Sequence, residues 1–211
     1  MAANNAPMER PNFRERMLRA REDAIVATVN RLLAEKGFET MTMDEVAADV
    51  GIAKASLYKH FTSKEQLAAE AMIRVLDRAL EQVDALRREA ATTELESLKA
   101  LTRWALELQL AGEMPSLPSQ NSALRNALMT HQGYLDRLMR LSDLLGGWIS
   151  SAQRAGALNP ELPPEIILYT LYARACDPVL NLLKTSGSHS DAQITELLIS
   201  TCFDGLAGPS R

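Results

Sequence analysis

The side chains best suited to chemistry lie in one short basic stretch, residues 54–60. Lys54 and Lys59 carry charges that can neutralise phosphates, and Tyr58 can set its ring against a sugar and its hydroxyl on a phosphate. Ser56 is small enough to bring the backbone and a hydroxyl close to the edges of bases. The stretch contains no acidic residue. Taken singly, the lysines would fit a solvated face, and Tyr58 and His60 would fit partial core packing. Their spacing within one helical motif is what indicates contact with a nucleic acid.

Two short helices joined by a tight turn are predicted to hold this stretch. Thr42 and Glu45 have the spacing of a capping box, in which two side chains satisfy the free amides at the start of a helix. Apolar residues then recur at helical spacing as far as Val50. Gly51 follows, where the turn needs a backbone conformation that is costly for other residues. Since a second amphipathic helix begins after this turn, the sequence predicts a helix-turn-helix, whose second helix enters the major groove of DNA.

Flanking helices are predicted to give this motif a core. Residues from about 20 to 36 carry apolar side chains at the spacing of one helix face, and Gly37 follows them. Ser63 and Gln66 resemble a second capping box and begin a helix that runs toward Arg87. This helix is the only covalent link between the motif and the rest of the chain. We therefore expect any ligand signal to pass through it.

Four spaced segments carry a family resemblance. They are residues 34–38 (AEKGF), 42–43 (TM), 50–61 (VGIAKASLYKHF) and 63–67 (SKEQL). Together they look like the TetR/AcrR family of one-component transcriptional regulators, over roughly residues 19–72. Many members carry serine where this chain has Ala53, so a hydroxyl cap is not available there. The resemblance implies that the following residues lie at the DNA: Thr42, Lys54, Ala55, Ser56, Tyr58, Lys59, His60 and Lys64.

The whole chain is predicted to be all-α. Its 211 residues are 46% hydrophobic, which is enough to bury a sizeable core. Apolar residues recur at helical spacing and almost never alternate as in strands. We divide the chain into a flexible basic arm over residues 1–18, a helix-turn-helix DNA-binding domain over 19–64, and a larger helical regulatory and dimerisation domain over 65–211.

The last two predicted helices begin near Pro163 and Ser190. The first is expected to continue, kinked at Pro178, with Ile166 and Tyr169 on its apolar face. By resemblance to the family, these two helices pair with a second copy in a four-helix bundle. A terminal helix with a broad apolar face also needs a partner, and a twofold dimer suits two DNA half-sites.

The net charge of −4 does not exclude a nucleic-acid partner, because the basic residues are clustered. Five arginines between Arg10 and Arg21 face only Glu15, and they could follow phosphates or enter a minor groove, or form a solvated tail. No apolar run approaches the length of a membrane span, and residues 1–21 lack the apolar centre of a signal peptide. We therefore expect a cytoplasmic protein without a membrane partner.

A site for an unknown small-molecule effector is predicted inside the larger domain, where aromatic, flexible and polar residues are interspersed. The same residues could equally form an ordinary packed core. Asp177 is notable because a carboxylate among apolar neighbours would need a partner. The acidic balance of the domain favours a neutral or cationic compound. The candidate residues are Trp104, Leu108, His131, Met139, Trp148, Tyr169, Tyr172, Cys176 and Asp177.

Two other function classes are compatible with a helical chain. A cysteine-dependent enzyme would use Cys176 or Cys202 with a histidine, but neither cysteine has an activating context, and no metal or phosphate-loop spacing is present. A helical protein-interaction module would not need the basic run before Glu65. We therefore predict a homodimeric repressor that binds double-stranded operator DNA, uses no metal or other cofactor, and is released by a small effector.

Overall fold

The computed structural model describes residues 13–89, 92–114 and 123–204. This part of the chain folds into ten helices and contains no strand, so the all-α prediction is confirmed. The helices are α1 (Phe13–Thr40), α2 (Met43–Val50), α3 (Lys54–His60), α4 (Lys64–Leu86), α5 (Glu94–Leu110), α6 (Ala123–Thr130), α7 (Gln132–Arg154), α8 (Pro164–Ala175), α9 (Pro178–Ser186) and α10 (Asp191–Asp204).

Helices α1 to α3 form the N-terminal unit around their own apolar core. Ile25 and Val29 of α1 and Leu57 of α3 are fully buried in it, together with Leu67 from the start of α4. Short helices are marginal alone, so this packing holds the turn between α2 and α3 in place. The core continues into α4, and the boundary predicted after residue 64 therefore does not separate two cores.

The first helix begins earlier than the sequence indicated. It is helical from Phe13, and its regular part ends at Gly37, whose φ of 77° and ψ of 172° are not helical. Residues 13–18, which were assigned to a flexible arm, are therefore the first turns of α1, and that part of the prediction was wrong. Residues 1–12 lie outside the described part of the chain.

The larger body packs α4, α5, α7, α8 and α10 around a second core. Val83, Leu106, Ile149, Ile167 and Ile194, one from each of these helices, are fully buried. Helix α4 contacts both α1 and α7, and α6 contacts α4 close to the N-terminal unit. Leu124 and Leu128 of α6 accordingly join the core of the N-terminal unit. The two cores are thus connected through α4 and α6.

The segment after Pro163 is two helices, and the single kinked helix predicted there was wrong. Helix α8 ends at Ala175, and the Asp177 side chain accepts a hydrogen bond from the amide of Val179 to begin α9. Pro178 occupies the first position of α9, where a missing amide costs nothing, so it starts a new helix. The buried face of α8 also differs, since Ile166 and Tyr169 are exposed while Ile167 and Leu171 are buried.

By composition and length, residues 164–186 could cross a membrane. In the structure they are the two separate helices α8 and α9, and α8 packs against α5 and α7. Only a minority of this segment is buried within the chain. The expectation that no apolar run approaches the length of a membrane span was thus wrong on length and composition, and large apolar side chains of this segment such as Ile166 and Leu182 are exposed.

The predicted helix caps are mostly present. Thr42 and Glu45 form the complete capping box, with bonds of 3.2 Å from the Glu45 amide to the Thr42 hydroxyl and 3.0 Å from the Thr42 amide to the Glu45 carboxylate. The Ser63 hydroxyl accepts from the Gln66 amide at 3.1 Å. Gln66, however, accepts from the Thr62 amide at 2.7 Å, so the reciprocal half of the second capping box is displaced by one residue.

Candidate nucleic-acid interface and internal cavity

The turn between α2 and α3 sets the direction of α3. Gly51 adopts a left-handed conformation with φ 72°, and its amide donates to the last carbonyls of α2. Ala53 precedes α3 without any side-chain cap, as the alanine at this position implies. Leu57 points into the core and is fully buried, whereas Tyr58 is 43% exposed. Helix α3 therefore has one buried face and one face open to solvent.

The exposed face, which we call the α3 face, comprises Lys54, Ala55, Tyr58 and Lys59, together with the partly buried Ser56. Lys54 forms an ion pair of 2.6 Å with Asp44 of α2, and both side chains are more than half exposed. The hydrogen bond and the charge of Asp44 raise the pKa of Lys54. Lys59 is exposed and makes no ion pair within the described residues. The α3 face thus presents one paired and one unpaired cation.

Lys64 and His60, two further DNA-contact candidates, are engaged with the protein itself. The Lys64 ammonium donates to the carbonyls of Phe38 at 3.0 Å and Glu39 at 3.3 Å, and it lies 4.2 Å from the centre of the Phe38 ring. It therefore closes the end of α1. His60 is mostly buried, and its Nδ1 lies 3.6 Å from a carboxylate oxygen of Glu22. Their DNA contacts stay predictions, as does that of Thr42, whose hydroxyl serves the cap of α2.

Ion pairs that the sequence did not indicate fix α2 against α1. Arg31 of α1 bonds to Glu35 on its own helix and reaches Asp49 of α2. Lys36 forms a 2.6 Å pair with Glu45, and this bond lowers the pKa of the Glu45 carboxyl. All of these side chains are substantially exposed, so each pair contributes little to stability. Their effect is on orientation, because α2 in turn carries α3.

An internal cavity of about 490 Å³ lies between α4, α5, α7 and α8. Five of the nine predicted ligand residues line it: Trp104, Met139, Tyr169, Tyr172 and Cys176. Met139 and Tyr169 are each 64% exposed, which places them at its mouth rather than inside. The described part of the chain therefore does contain a hollow, although the sequence could not distinguish it from a packed core.

The other four predicted ligand residues do not line the cavity. Leu108 packs with Val75 and Met114, and Trp148 packs against the main core. His131 caps α7, its Nδ1 accepting from the Tyr134 amide at 3.3 Å. Asp177 is buried, but its carboxylate caps α9 and bonds to Arg174. The structure thus supplies the partner of Asp177 from the protein and places all four residues outside the cavity, and their contact with a ligand stays a prediction.

Most of the cavity wall was missed because its residues read as ordinary helical apolar stripes. The lining residues that the sequence did not single out are Met72, Val75, Leu76, Ala79, Leu98, Leu101, Thr102, Ala105, Tyr134, Leu138, Leu141, Ser142, Asp143, Leu145, Leu171 and Ala175. Many come from α4, which also reaches the N-terminal unit. The signal available in the sequence was the apolar stripe of α4, a helix that packs against the N-terminal unit at one end and the larger body at the other.

The thiols are not poised for nucleophilic chemistry. Burial raises the pKa of Cys176 to about 11 and also raises that of Cys202. Both groups are therefore protonated at neutral pH, whereas a nucleophilic cysteine requires the thiolate. This argues against the cysteine-dependent enzyme. Burial likewise raises the pKa of the cavity hydroxyls of Tyr134 and Tyr172, which stay neutral.

The fold and these two sites define a class: a helix-turn-helix protein whose small N-terminal unit is joined to a helical body with an internal cavity. Residues 25–71 match the family model for bacterial regulatory proteins of the tetR family. The N-terminal unit of this chain is therefore that of a TetR-family bacterial regulatory protein.

Similarity to individual relatives in sequence covers a short segment of the chain. A segment of 51 residues is 43% identical to the uncharacterized HTH-type transcriptional regulator YerO of Bacillus subtilis (strain 168), covering 24% of this chain and 18% of YerO. A 46-residue segment is 44% identical to IcaR of Staphylococcus aureus (strain Newman), a negative transcriptional regulator of the biofilm operon icaADBC, covering 22% of this chain and 25% of IcaR. The match thus spans a quarter or less of these relatives' length.

Similarity in structure extends over the whole fold. The fatty acid degradation regulator FadR from Bacillus halodurans superimposes with a TM-score of 0.66 at 19% identity, covering 89% of this chain and 97% of FadR. Apo AibR gives 0.61 at 27% identity, covering 87% and 98%. AibR in complex with isovaleryl coenzyme A and operator DNA gives 0.59 at 25% identity, with the same coverage.

Proposed function

We propose that the protein is a cytoplasmic, homodimeric transcriptional repressor that binds operator DNA through the α3 face and is released by a small effector. The observation that carries this proposal is the α3 face itself. Lys54, Tyr58 and Lys59 are exposed on a short helix. A left-handed glycine turn and the buried Leu57 orient this helix so that the α3 face points away from the core. A helix presented in this way fits the major groove.

The contacts expected on DNA divide between phosphates and bases. Lys59 is free to neutralise a phosphate, and Lys54 can do so once it leaves Asp44. Ser56 and Ala55 are small, so the backbone of α3 can approach base edges. The similarity to AibR, whose structure includes operator DNA, supports this assignment. The repressing outcome is supported by the similarity to IcaR, a negative regulator.

An apolar surface on α8, α9 and α10 supports the homodimer. Its members are large, exposed hydrophobic residues: Ile166, Tyr169, Val179, Leu182 and Leu197. Such a surface marks an interaction site, and a second copy of the same surface covers it with twofold symmetry. Twofold symmetry in turn places two α3 faces on half-sites ~34 Å apart along the duplex.

Helix α4 connects the cavity with the N-terminal unit. Met72 belongs to the core of the N-terminal unit and also lines the cavity, and Val75 and Ala79 continue the cavity wall along α4. A ligand that fits the cavity better in one position of α4 favours that position by its difference in affinity. If this position separates the two α3 faces beyond the half-site spacing, the effector weakens DNA binding.

The test compares alanine variants on DNA fragments that the protein retains from its own genome. Lys59→Ala is expected to weaken binding about tenfold and to reduce the salt dependence by about one phosphate contact. Tyr58→Ala is expected to weaken binding by a similar factor. Binding is measured by gel shift at several salt concentrations.

Lys99→Ala is the matched control, because Lys99 lies on α5 and forms its ion pair with Glu96 of its own helix. It should bind DNA like the unmodified protein. If the two α3 variants also bind normally while remaining dimeric, the assignment of the α3 face is wrong.

A further inference from the structure

The charged and polar groups of the cavity are unevenly distributed. Among the described lining residues there is no lysine, arginine or histidine. The one carboxylate in that lining is Asp143 of α7. Arg137, on the same helix, does not line the cavity and is held by a 2.5 Å bond to Asp77 of α4. An anion entering the cavity would therefore find no opposite charge in this part of the wall.

The hydrogen bonds of Ser142 determine which protons remain available. Its Oγ lies 2.8 Å from the carbonyl oxygen of Leu138 and 2.8 Å from the hydroxyl of Tyr172. Two such contacts between oxygens require two protons, and a carbonyl supplies none. Ser142 therefore donates to Leu138, and Tyr172 donates to Ser142. The Tyr172 oxygen is left with lone pairs only and can only accept.

The hydroxyl oxygen of Thr102, on the α5 wall of the cavity, can likewise only accept a hydrogen bond from a ligand. Its hydroxyl is buried and donates to the carbonyl of Leu98 at 2.8 Å, so its oxygen also can only accept. The Tyr134 hydroxyl can still donate a hydrogen bond to a ligand, since it makes no hydrogen bond within the described residues. A single neutral hydroxyl, however, offsets little of the cost of taking an anion out of water.

The negative charge of Asp143 adds to this bias. Burial raises the pKa of Tyr172, and the charge of Asp143 raises it further. Asp143 is exposed, so water screens its charge, which repels an anion and attracts a cation only weakly. Acceptors on two walls and one carboxylate thus favour a ligand that brings hydrogen-bond donors.

We propose that the cavity takes an apolar ligand whose polar group is a neutral or cationic hydrogen-bond donor, such as an amide or an ammonium, and disfavours carboxylates. The geometry of Ser142, Tyr172 and Thr102 carries the inference. It deepens the proposed function, because it names the chemical class of the effector, but ligand binding can be measured without DNA.

The experiment uses three ten-carbon compounds that differ in one group: decanamide, decylammonium and decanoate. Binding to the full-length protein is followed at neutral pH through the fluorescence of Trp104, which lines the cavity. Decanamide and decylammonium are expected to bind at least about tenfold more tightly than decanoate, because only they supply donors without negative charge.

Tyr172→Phe removes the acceptor while keeping the ring. It should weaken decanamide binding about fivefold and leave decanoate binding unchanged, so the discrimination falls. Thr170→Val is the matched control, since it removes a hydroxyl from the same helix at a residue that does not line the cavity, and it should behave like the unmodified protein. Circular dichroism verifies that both variants are folded.

Three results would overturn the proposal: decanoate binding as tightly as decanamide, unchanged discrimination in Tyr172→Phe, or no binding of any of the three. None of them would affect the DNA-binding part of the proposed function, which the Lys59 and Tyr58 variants test separately. Conversely, if the Lys59 and Tyr58 variants disproved the DNA-binding part, the ligand preference measured here would be unaffected.

Discussion

At the scale of single residues, the α3 face carries lysines that attract DNA, but one of them, Lys54, is already paired with a carboxylate of the protein. Lys54 bonds to Asp44 and also lies 6.0 Å from the centre of the Tyr58 ring. A phosphate that approaches Lys54 must replace the carboxylate of Asp44. The cost is small, because the pair is exposed and screened by water. Asp44 nevertheless adds negative charge beside the surface proposed to meet the DNA.

Asp44→Asn is therefore expected to strengthen DNA binding. Release of Lys54 and loss of one repulsive charge should increase affinity about two- to fivefold, in line with the ~0.2–1 kcal/mol of an exposed ion pair. Titration of the retained DNA fragments at low salt measures the effect, which should shrink as salt is added. Glu94→Gln, an exposed acid in the first turn of α5, is the control and should have no effect. Weaker or equal binding of Asp44→Asn would contradict this account.

At the scale of elements, the α2–α3 turn depends on one backbone conformation. Gly51 has φ 72°, and a Cβ added there would meet no atom within 4 Å. A substitution is therefore strained by its own backbone and not by its neighbours. The turn is short and both helices are brief, so the orientation of α3 relies on this residue.

Gly51→Ala is expected to lower the free energy of unfolding by about 1 kcal/mol, since a left-handed conformation is unfavourable for alanine. Urea denaturation measures it. Gly146→Ala is the matched control, because Gly146 lies inside α7 with equally open space for a Cβ and without a positive φ. That change should raise the free energy of unfolding by up to about 1 kcal/mol. Equal effects of the two substitutions would exclude the conformational explanation.

At the scale of the whole molecule, the proposed dimer brings together surfaces that the single chain leaves open. Leu182 of α9 is 71% exposed, and Leu197 of α10 is half exposed. Helix α10 is anchored to α5 by a pair of bonds, 2.8 and 3.1 Å, from Arg103 to Glu196. The apolar surface is thus carried by helices whose inner faces are already packed.

Leu182→Glu is expected to convert the dimer to a monomer, because two copies of the new charge would be buried against each other near the twofold axis. Sedimentation velocity measures the change, and DNA affinity should fall with it. Met129→Glu places the same charge at an exposed methionine of α6, away from this surface, and should remain dimeric. A dimeric Leu182→Glu would mean that the proposed interface is incorrect.

Features that depend on neighbours in sequence were predictable. The Thr42 and Glu45 capping box, the turn at Gly51 and the start of α4 at Ser63 each involve residues within four positions, whose interactions are the same in any fold. The helix-turn-helix therefore followed from the sequence alone. The sequence left open whether the partner of Asp177 is the protein or a ligand, and the structure shows that its carboxylate caps α9 and bonds to Arg174.

The sequence by itself determined the helices, their caps and the exposed cations of α3, because hydrogen bonds and side-chain spacing within a few residues define them. Only the tertiary structure decided that Lys64 caps the end of α1 by donating to the Phe38 carbonyl, 26 positions away. It likewise decided that the Tyr172 hydroxyl donates a hydrogen bond to Ser142, 30 positions away. It also decided that the stripes of α4 and α5 enclose a cavity. The physical reason is that an apolar stripe specifies burial but not the distance to the surface that buries it.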